Sequence, residues 1–181
     1  GDFPPAGFHV PGEMSGIWQH PIKLLDGFTL SIQDGAKSIV LDKCDSFITY
    51  PLATQFKYDG ADDLEIVRTD FVPDSLPVLA VEYQVRNKTN QPKEILLSLT
   101  ADTDLSPVWL GERSGMTDTR DQYTGLIHNT VFAKDSLNNW FVGVTSDQDS
   151  LSIDDLGNSP VQGQGISVKL NTPRLNLAAN E

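Results

Sequence analysis

Alternation of apolar and polar side chains, interrupted by turn residues, is the feature that most constrains how this chain folds. Alternating segments recur about every dozen residues and are separated by clusters of Gly, Pro, Asn and Asp. In one of them Leu79, Val81, Tyr83 and Val85 fall on the same face of an extended strand. Long stretches with helical apolar spacing and a cap are missing from the sequence. The pattern therefore predicts an all-β fold with few and short helices.

The sequence predicts nine strands, which account for most of the apolar residues. They are Gly27–Gln33, Lys37–Leu41, Ser46–Tyr58, Leu64–Val72, Val78–Arg86, Lys93–Thr100, Gly125–Ala133, Trp140–Thr145 and Gly165–Leu170. The polar turn Asn87–Pro92 is typical of a hairpin loop, so we expect its two flanking strands to pair antiparallel. The polar stretch Asp147–Gly165 is expected to be a long loop. Leu175 and Leu177 alternate like the start of a further strand, and we expect the polypeptide to continue beyond Glu181.

Length and charge narrow the class of protein. With 181 residues, 39% of them apolar and 21% charged, residues 1–181 can form one soluble domain around its own core. Thirteen basic and twenty-five acidic residues give a net charge of −12, which disfavours binding to nucleic acid and to anionic membranes. Cys44 is the only cysteine, so no intramolecular disulfide reports on the compartment. The first residue is Gly1 rather than Met, which suggests either an expression scar or a processed start.

The stretch Thr100–Arg113 is the richest in residues that can recognise a ligand. It runs from the end of a predicted strand through Asp104 and a proline to Trp109, Glu112 and Arg113. Trp109 could stack on a sugar ring while Glu112 and Arg113 hydrogen-bond its hydroxyls. Alternatively, Trp109 is tucked into the core and the two charged residues form a surface ion pair.

Trp18 is a second aromatic candidate. It lies beside His20 on an extended segment that is expected to turn at Gly27. An aromatic ring among polar groups suits a sugar platform or a contact with another domain. The alternative is that Trp18 closes the end of a β-sandwich as part of its core.

Acidic residues near the candidate stretch raise two further possibilities. Asp102 and Asp104 could both face one hard cation, but the remaining positions of an EF-hand loop do not follow them, and turn hydrogen bonds are the preferred interpretation. Glu13, Asp102, Asp104 and Glu112 could supply the two carboxylates of a glycosidase, although chance pairs are common in so acidic a chain. Motifs for serine, phosphate, zinc or redox chemistry are missing. We therefore predict no catalytic residue, metal or cofactor.

Three stretches resemble the N-terminal β-sandwich of bacterial glycogen debranching enzyme-like glycoside hydrolases. They are Gly12–Phe28, Arg68–Asn87 and Thr100–Asp118, and Leu175–Glu181 is similar to a late strand of that sandwich. The resemblance implies a two-sheet antiparallel β-sandwich of the supersandwich, galactose-mutarotase-like kind. It also implies a C-terminal (α/α)6 toroid as partner, which carries the catalytic acids.

Two functional expectations follow from this resemblance. The preferred one is a non-catalytic accessory domain that packs against the toroid of an α-glucan hydrolase, with a periplasmic or secreted location in a bacterium. The alternative is an independent carbohydrate-binding module, and an enzyme acting on sugars is the third reading. In either of the first two, the residues expected at a carbohydrate or domain interface are Trp18, Asp104, Trp109, Glu112 and Arg113.

Overall fold

A computed structural model describes residues 15–59, 63–108, 113, 115–159 and 163–180. Within these residues the chain forms fourteen strands, whose resolved pairings are antiparallel. The strands are β1 (Ile17–Gln19), β2 (Ile22–Asp34), β3 (Lys37–Val40), β4 (Ser46–Thr49), β5 (Ala53–Tyr58), β6 (Leu64–Phe71), β7 (Ala80–Asn87), β8 (Lys93–Thr103), β9 (Asp121–Ile127), β10 (Thr130–Asp135), β11 (Phe141–Thr145), β12 (Ser152–Asn158), β13 (Ile166–Asn171) and β14 (Leu175–Leu177). The predicted all-β, antiparallel class is confirmed.

The strands form three sheets. Seven strands make the largest sheet, with the order β1-β2-β8-β13-β12 and with β3 beside β2 and β14 beside β8. The other two sheets have the orders β11-β10-β9 and β4-β5-β6-β7. By its internal contacts the chain divides into two compact units, residues 1–30 with 98–173 and residues 31–97 with 174–181. The long strands β2 and β8 contribute residues to both units.

The first unit has the core of a β-sandwich. Ala101 on β8 and Val168 on β13 are buried in one cluster with Val131 and Ala133 on β10. Since β8 and β13 belong to the large sheet and β10 to the three-stranded sheet, this cluster fills the space between two sheet faces. The alternation read from the sequence thus builds the interior of the sandwich.

The second unit contains the four-stranded sheet. Tyr58 on β5 lies opposite Ile66 on β6, and both side chains are buried. Asn87, at the end of β7, is also buried, and its amide donates hydrogen bonds to the carbonyls of Gln91 at 2.7 Å and Ala178 at 2.9 Å. One polar side chain therefore ties the turn after β7 to the chain near residue 178.

Two predicted strands are hairpins in the structure. Ser46–Tyr58 reverses at Pro51, where Tyr50 N donates a hydrogen bond to Ala53 O at 2.8 Å, and the halves pair as β4 and β5. The prediction Gly125–Ala133 covers parts of β9 and β10, which pair across a turn at His128 and Asn129. Both turn residues have positive φ, as a two-residue hairpin loop of type I′ requires.

Three other expectations are wrong. The turn Asn87–Pro92 does not join paired strands, because β7 pairs with β6 and β8 pairs within the large sheet. The supposed loop 147–165 contains β12, a mostly exposed and polar edge strand paired with β13. Gly27 lies inside β2 rather than at a turn, and the chain reverses at His20 and Pro21. The expected strand at Leu175 and Leu177 is confirmed as β14.

The part of the chain that the structure describes includes no helix long and apolar enough to cross a membrane.

Candidate functional site

The segment that follows β8 is held by the hairpin of β1 and β2. Lys23 N donates a hydrogen bond to Ser106 O at 2.8 Å, and Val108 N donates one to Pro21 O at 2.9 Å. Asp104 N reaches the carbonyl of Leu24 at 3.3 Å. Residues 104–108 consequently run along the start of β2 in a fixed backbone position.

A buried ion pair lies beneath this segment. The side chain of Lys23 is fully buried, and its Nζ donates to Asp104 Oδ2 at 3.0 Å and to Asp26 Oδ1. Ser106 Oγ donates to the same oxygen of Asp104 at 3.3 Å. Burial favours the neutral amine, but the two carboxylates outweigh it and raise the pKa of Lys23. Lys23 is therefore charged in the interior, where Asp26 and Asp104 share it as their counter-ion.

Asp121 joins the ends of three strands. Its Oδ2 accepts hydrogen bonds from Thr103 Oγ1 at 2.5 Å and Leu105 N at 3.1 Å. Thr103 Oγ1 in turn accepts from Ile166 N at 3.0 Å, so β8, β9 and β13 meet at this carboxylate. Among the described residues Asp121 Oδ1 has no hydrogen-bond partner. Burial raises the pKa of Asp121 to about 6, against the hydrogen bonds from Thr103 and Leu105.

Asp135 organises the turns that flank β9 and β10. It accepts hydrogen bonds from Thr119 N at 3.0 Å, Leu137 N at 3.0 Å and Asn138 N at 2.6 Å. The hydroxyl of Thr119 and the amide of Asn138 add two more donors at 2.7 Å. Burial alone would raise the pKa of Asp135, but these hydrogen bonds outweigh it and hold the pKa below its usual value. Asp135 is thus a structural carboxylate.

The acidic residues of this region are not arranged as a metal site. Within the described residues no group of three or more His, Cys, Asp or Glu side chains could hold an ion. Asp102 accepts a hydrogen bond from Ser167 Oγ, whereas Asp104 faces Lys23. The two carboxylates that the sequence offered as a cation pair therefore have separate protein partners.

A shallow depression of about 280 Å³ lies beside Asp121. Its lining mixes charged, amide, aromatic and apolar groups: Arg120, Asp121, Gln122, Tyr123, Asp155, Gly157 and Ile166. Arg120 on this rim donates a hydrogen bond to Asn158 at 2.7 Å. The polar groups could hydrogen-bond a small ligand, but the depression is too open to exclude water from one.

The structure brings together two of the residues proposed from the sequence. Lys23 is both the cross-strand partner of Trp18 on β1 and the ion-pair partner of Asp104. Trp18 is half-buried and Asp104 is only 5% exposed, whereas Arg113 is exposed. Trp109 and Glu112 lie outside the described residues, so the alternatives for their side chains stay predictions.

Sequence reasoning missed Lys23 and Asp26. Lys23 stands in the apolar run Ile22-Lys-Leu-Leu25, and a charged residue in such a run is the signal that could have found it. Its partner Asp104 is 81 positions away, and no local pattern predicts that pairing.

A second missed cluster lies on the four-stranded sheet. Arg68 donates to both carboxylate oxygens of Asp70, through Nε at 2.6 Å and through Nη2. The Arg68 guanidinium carbon is 4.8 Å from the ring centroid of Phe56, and the Phe47 ring is 6.4 Å from Phe56. Burial raises the pKa of Tyr83, the cross-strand neighbour of Arg68, to about 12, although the charge of Arg68 opposes this. Because Ser46–Tyr58 was predicted as one strand, the sequence did not indicate that Phe47 and Phe56 lie opposite each other across a hairpin.

Comparisons with protein-family models and with curated protein sequences give no match for this chain.

Proposed function

We propose that this chain is a non-catalytic accessory domain, a β-sandwich of the supersandwich kind that packs against the catalytic domain of a glycoside hydrolase acting on α-glucans. The observation that carries the proposal is the environment of Asp104. A carboxyl group that protonates a glycosidic oxygen must reach the substrate. Asp104 is instead 5% exposed and bound to the fully buried Lys23. It fits a structural role.

The fixed course of residues 104–108 supports docking by the residues that follow. Backbone hydrogen bonds to Pro21, Lys23 and Leu24 anchor this segment. These bonds fix the place at which the chain leaves Val108. Trp109 and Arg113 are of the residue types that most often dominate binding energy at interfaces, and Arg113 is exposed.

Docking can be measured against the catalytic domain that we propose as the partner. That domain should consist of paired amphipathic helices, and in purified form it should bind this chain in calorimetry. We expect Trp109→Ala to weaken binding at least about tenfold, or about 1.4 kcal/mol, while the melting temperature stays nearly unchanged. Leu137→Ala is the matched control, because Leu137 is 82% exposed and lies elsewhere in the same unit.

Two results would contradict this proposal. A stop codon or an unrelated module after Glu181 would favour an independent function. A loss of about 3 to 5 kcal/mol in the unfolding free energy of Trp109→Ala would make Trp109 a core residue rather than an anchor.

The second candidate is an independent carbohydrate-binding module. It is favoured by the cluster of Phe47, Phe56, Arg68 and Asp70 on the four-stranded sheet. Phe47 is 65% exposed, and behind it lie Phe56 and the Arg68–Asp70 pair. An exposed aromatic ring beside hydrogen-bonding groups is a suitable surface for a sugar. Affinity electrophoresis in gels containing glycogen separates the candidates: retardation that Phe47→Ala abolishes would favour the module.

A further inference from the structure

One end of the four-stranded sheet carries an exposed apolar surface. Its residues, here called the sheet-end patch, are Tyr50, Leu52, Phe71, Val72, Leu76 and Val78, with exposures from 42% to 79%. The strand register places them together. Phe71 pairs with Ala53 on one side and with Ala80 on the other, so the turn 50–52 and the connection 72–79 leave the sheet at the same end.

The patch is built on rigid backbone. Pro51, Pro73 and Pro77 occupy the two connections and fix φ at three positions. Leu76 is held further by the hydrogen bond from Val78 N to Leu76 O at 2.8 Å. Apolar side chains on a pre-organised backbone lose little entropy when they are covered, and exposed apolar clusters of this kind mark interaction sites.

The charge of the patch indicates what covers it. In segments 50–52 and 72–79 the only charged residue is Asp74, which is exposed. The whole chain carries a net charge of −12. A second copy would set Asp74 against its like and bring together two chains that each carry a net charge of −12, which disfavours self-association. An apolar protein surface with basic side chains at its rim is complementary both to the apolar side chains of the patch and to the negative charge of Asp74.

We propose that the sheet-end patch docks on an apolar surface of another protein domain, flanked by Lys or Arg side chains of which one faces Asp74. The inference rests on the accessory role proposed above, since the partner is a neighbouring domain. The sheet-end patch does not include Trp109. Binding through the patch and docking through Trp109 can therefore be measured separately, and a negative result for one does not decide the other.

Two synthetic helical peptides test the proposal. Both carry the same leucine stripe, flanked by lysines in one and by glutamates in the other, and fluorescence anisotropy reports their binding to the full chain. We expect the lysine peptide to bind and the glutamate peptide to fail. The double variant Leu52→Ser with Leu76→Ser should weaken binding at least tenfold, and Asp74→Lys should reverse the preference between the peptides.

Matched controls distinguish the patch from general attraction. Leu137→Ser and Asp149→Lys change an exposed apolar residue and an exposed acidic residue of the other unit, and both should leave binding within about twofold. Equal weakening by these controls, or no binding of either peptide, would overturn the proposal. Light scattering that reveals a dimer lost in Leu76→Ser would instead assign the patch to a second copy. Sedimentation with zwitterionic phosphatidylcholine vesicles that Leu76→Ser abolishes would assign it to a membrane.

Discussion

Lys23 and Asp104, 81 positions apart in the sequence, form an ion pair at 3.0 Å in which the lysine side chain is fully buried. The same lysine also binds Asp26, so one cation is shared by two carboxylates at the place where the segment after β8 meets β2. A free catalytic acid would need access to substrate, which burial denies to Asp104. The pair therefore links the fold of this region to its proposed non-catalytic role.

Removing the cation should be costly. Lys23→Met leaves Asp26 and Asp104 buried without a counter-charge, and we expect the unfolding free energy in urea to fall by about 3 to 5 kcal/mol. The loss should be smaller at pH 5 than at pH 7.5, because burial raises the pKa of Asp26 to about 6 and its protonation removes one of the two unpaired charges. Arg86→Ala is the control: its pair with Glu65 is exposed, and its loss should cost less than about 1 kcal/mol. Equal costs for the two variants would contradict the structural role of Lys23.

Asp135 should be intolerant of even a conservative change. Asp135→Asn replaces one acceptor oxygen by a donor, so some of the N–H groups of Thr119, Leu137 and Asn138 lose their acceptor. We expect a loss of about 2 to 3 kcal/mol in unfolding free energy. Asp147→Asn, at an exposed position, should stay within about 0.5 kcal/mol. A tolerated Asp135→Asn would mean that these hydrogen bonds add little to stability.

Stability should fall as the pH rises from about 5 to 7.5. Burial raises the pKa values of Asp26, Asp118 and Asp121 from 3.8 to about 6 in the folded chain. Between these values the folded state holds protons that the unfolded state has released, so the favourable contribution of the protonated form is lost as pH rises through about 6.

Thermal unfolding at several pH values measures this dependence. Asp121→Asn should flatten it, because the amide keeps an acceptor for Thr103 and Leu105 but has no charge to bury. Asp149→Asn, an exposed change, should leave the slope unaltered. A chain that becomes more stable from pH 5 to pH 7.5 would contradict the raised pKa values.

The class of fold could be predicted from the sequence because apolar and polar side chains alternate within each single strand. The alternation did not predict two hairpin turns that have no glycine. Tyr50-Pro51-Leu52 is too apolar to resemble a turn, and the turn at His128 and Asn129 is recognised only by the positive φ of both residues in the structure. The alternation also missed β12, since an exposed edge strand can be almost wholly polar.

The candidate site was less predictable than the fold. Asp104 was identified as a polar residue at a strand end, but its burial depends on Lys23, which comes from a distant strand. Asp121 and Asp135 gained their surroundings in the same way, from strands that pair across the sheets. Charged residues that pair over a long sequence separation produce no periodic pattern in the sequence.

The release of reducing sugar tests the non-catalytic role most directly. The purified chain should be incubated with glycogen and with maltooligosaccharides, and we predict no release above the buffer rate, because Asp104, Asp121 and Asp135 are buried and hydrogen-bonded to Lys23, Thr103 and Thr119. Glu112→Gln serves as the matched variant, and its circular dichroism melt shows whether it is folded. Steady release by the chain that disappears in folded Glu112→Gln would contradict the accessory role, whereas equal background rates for both proteins are the predicted result.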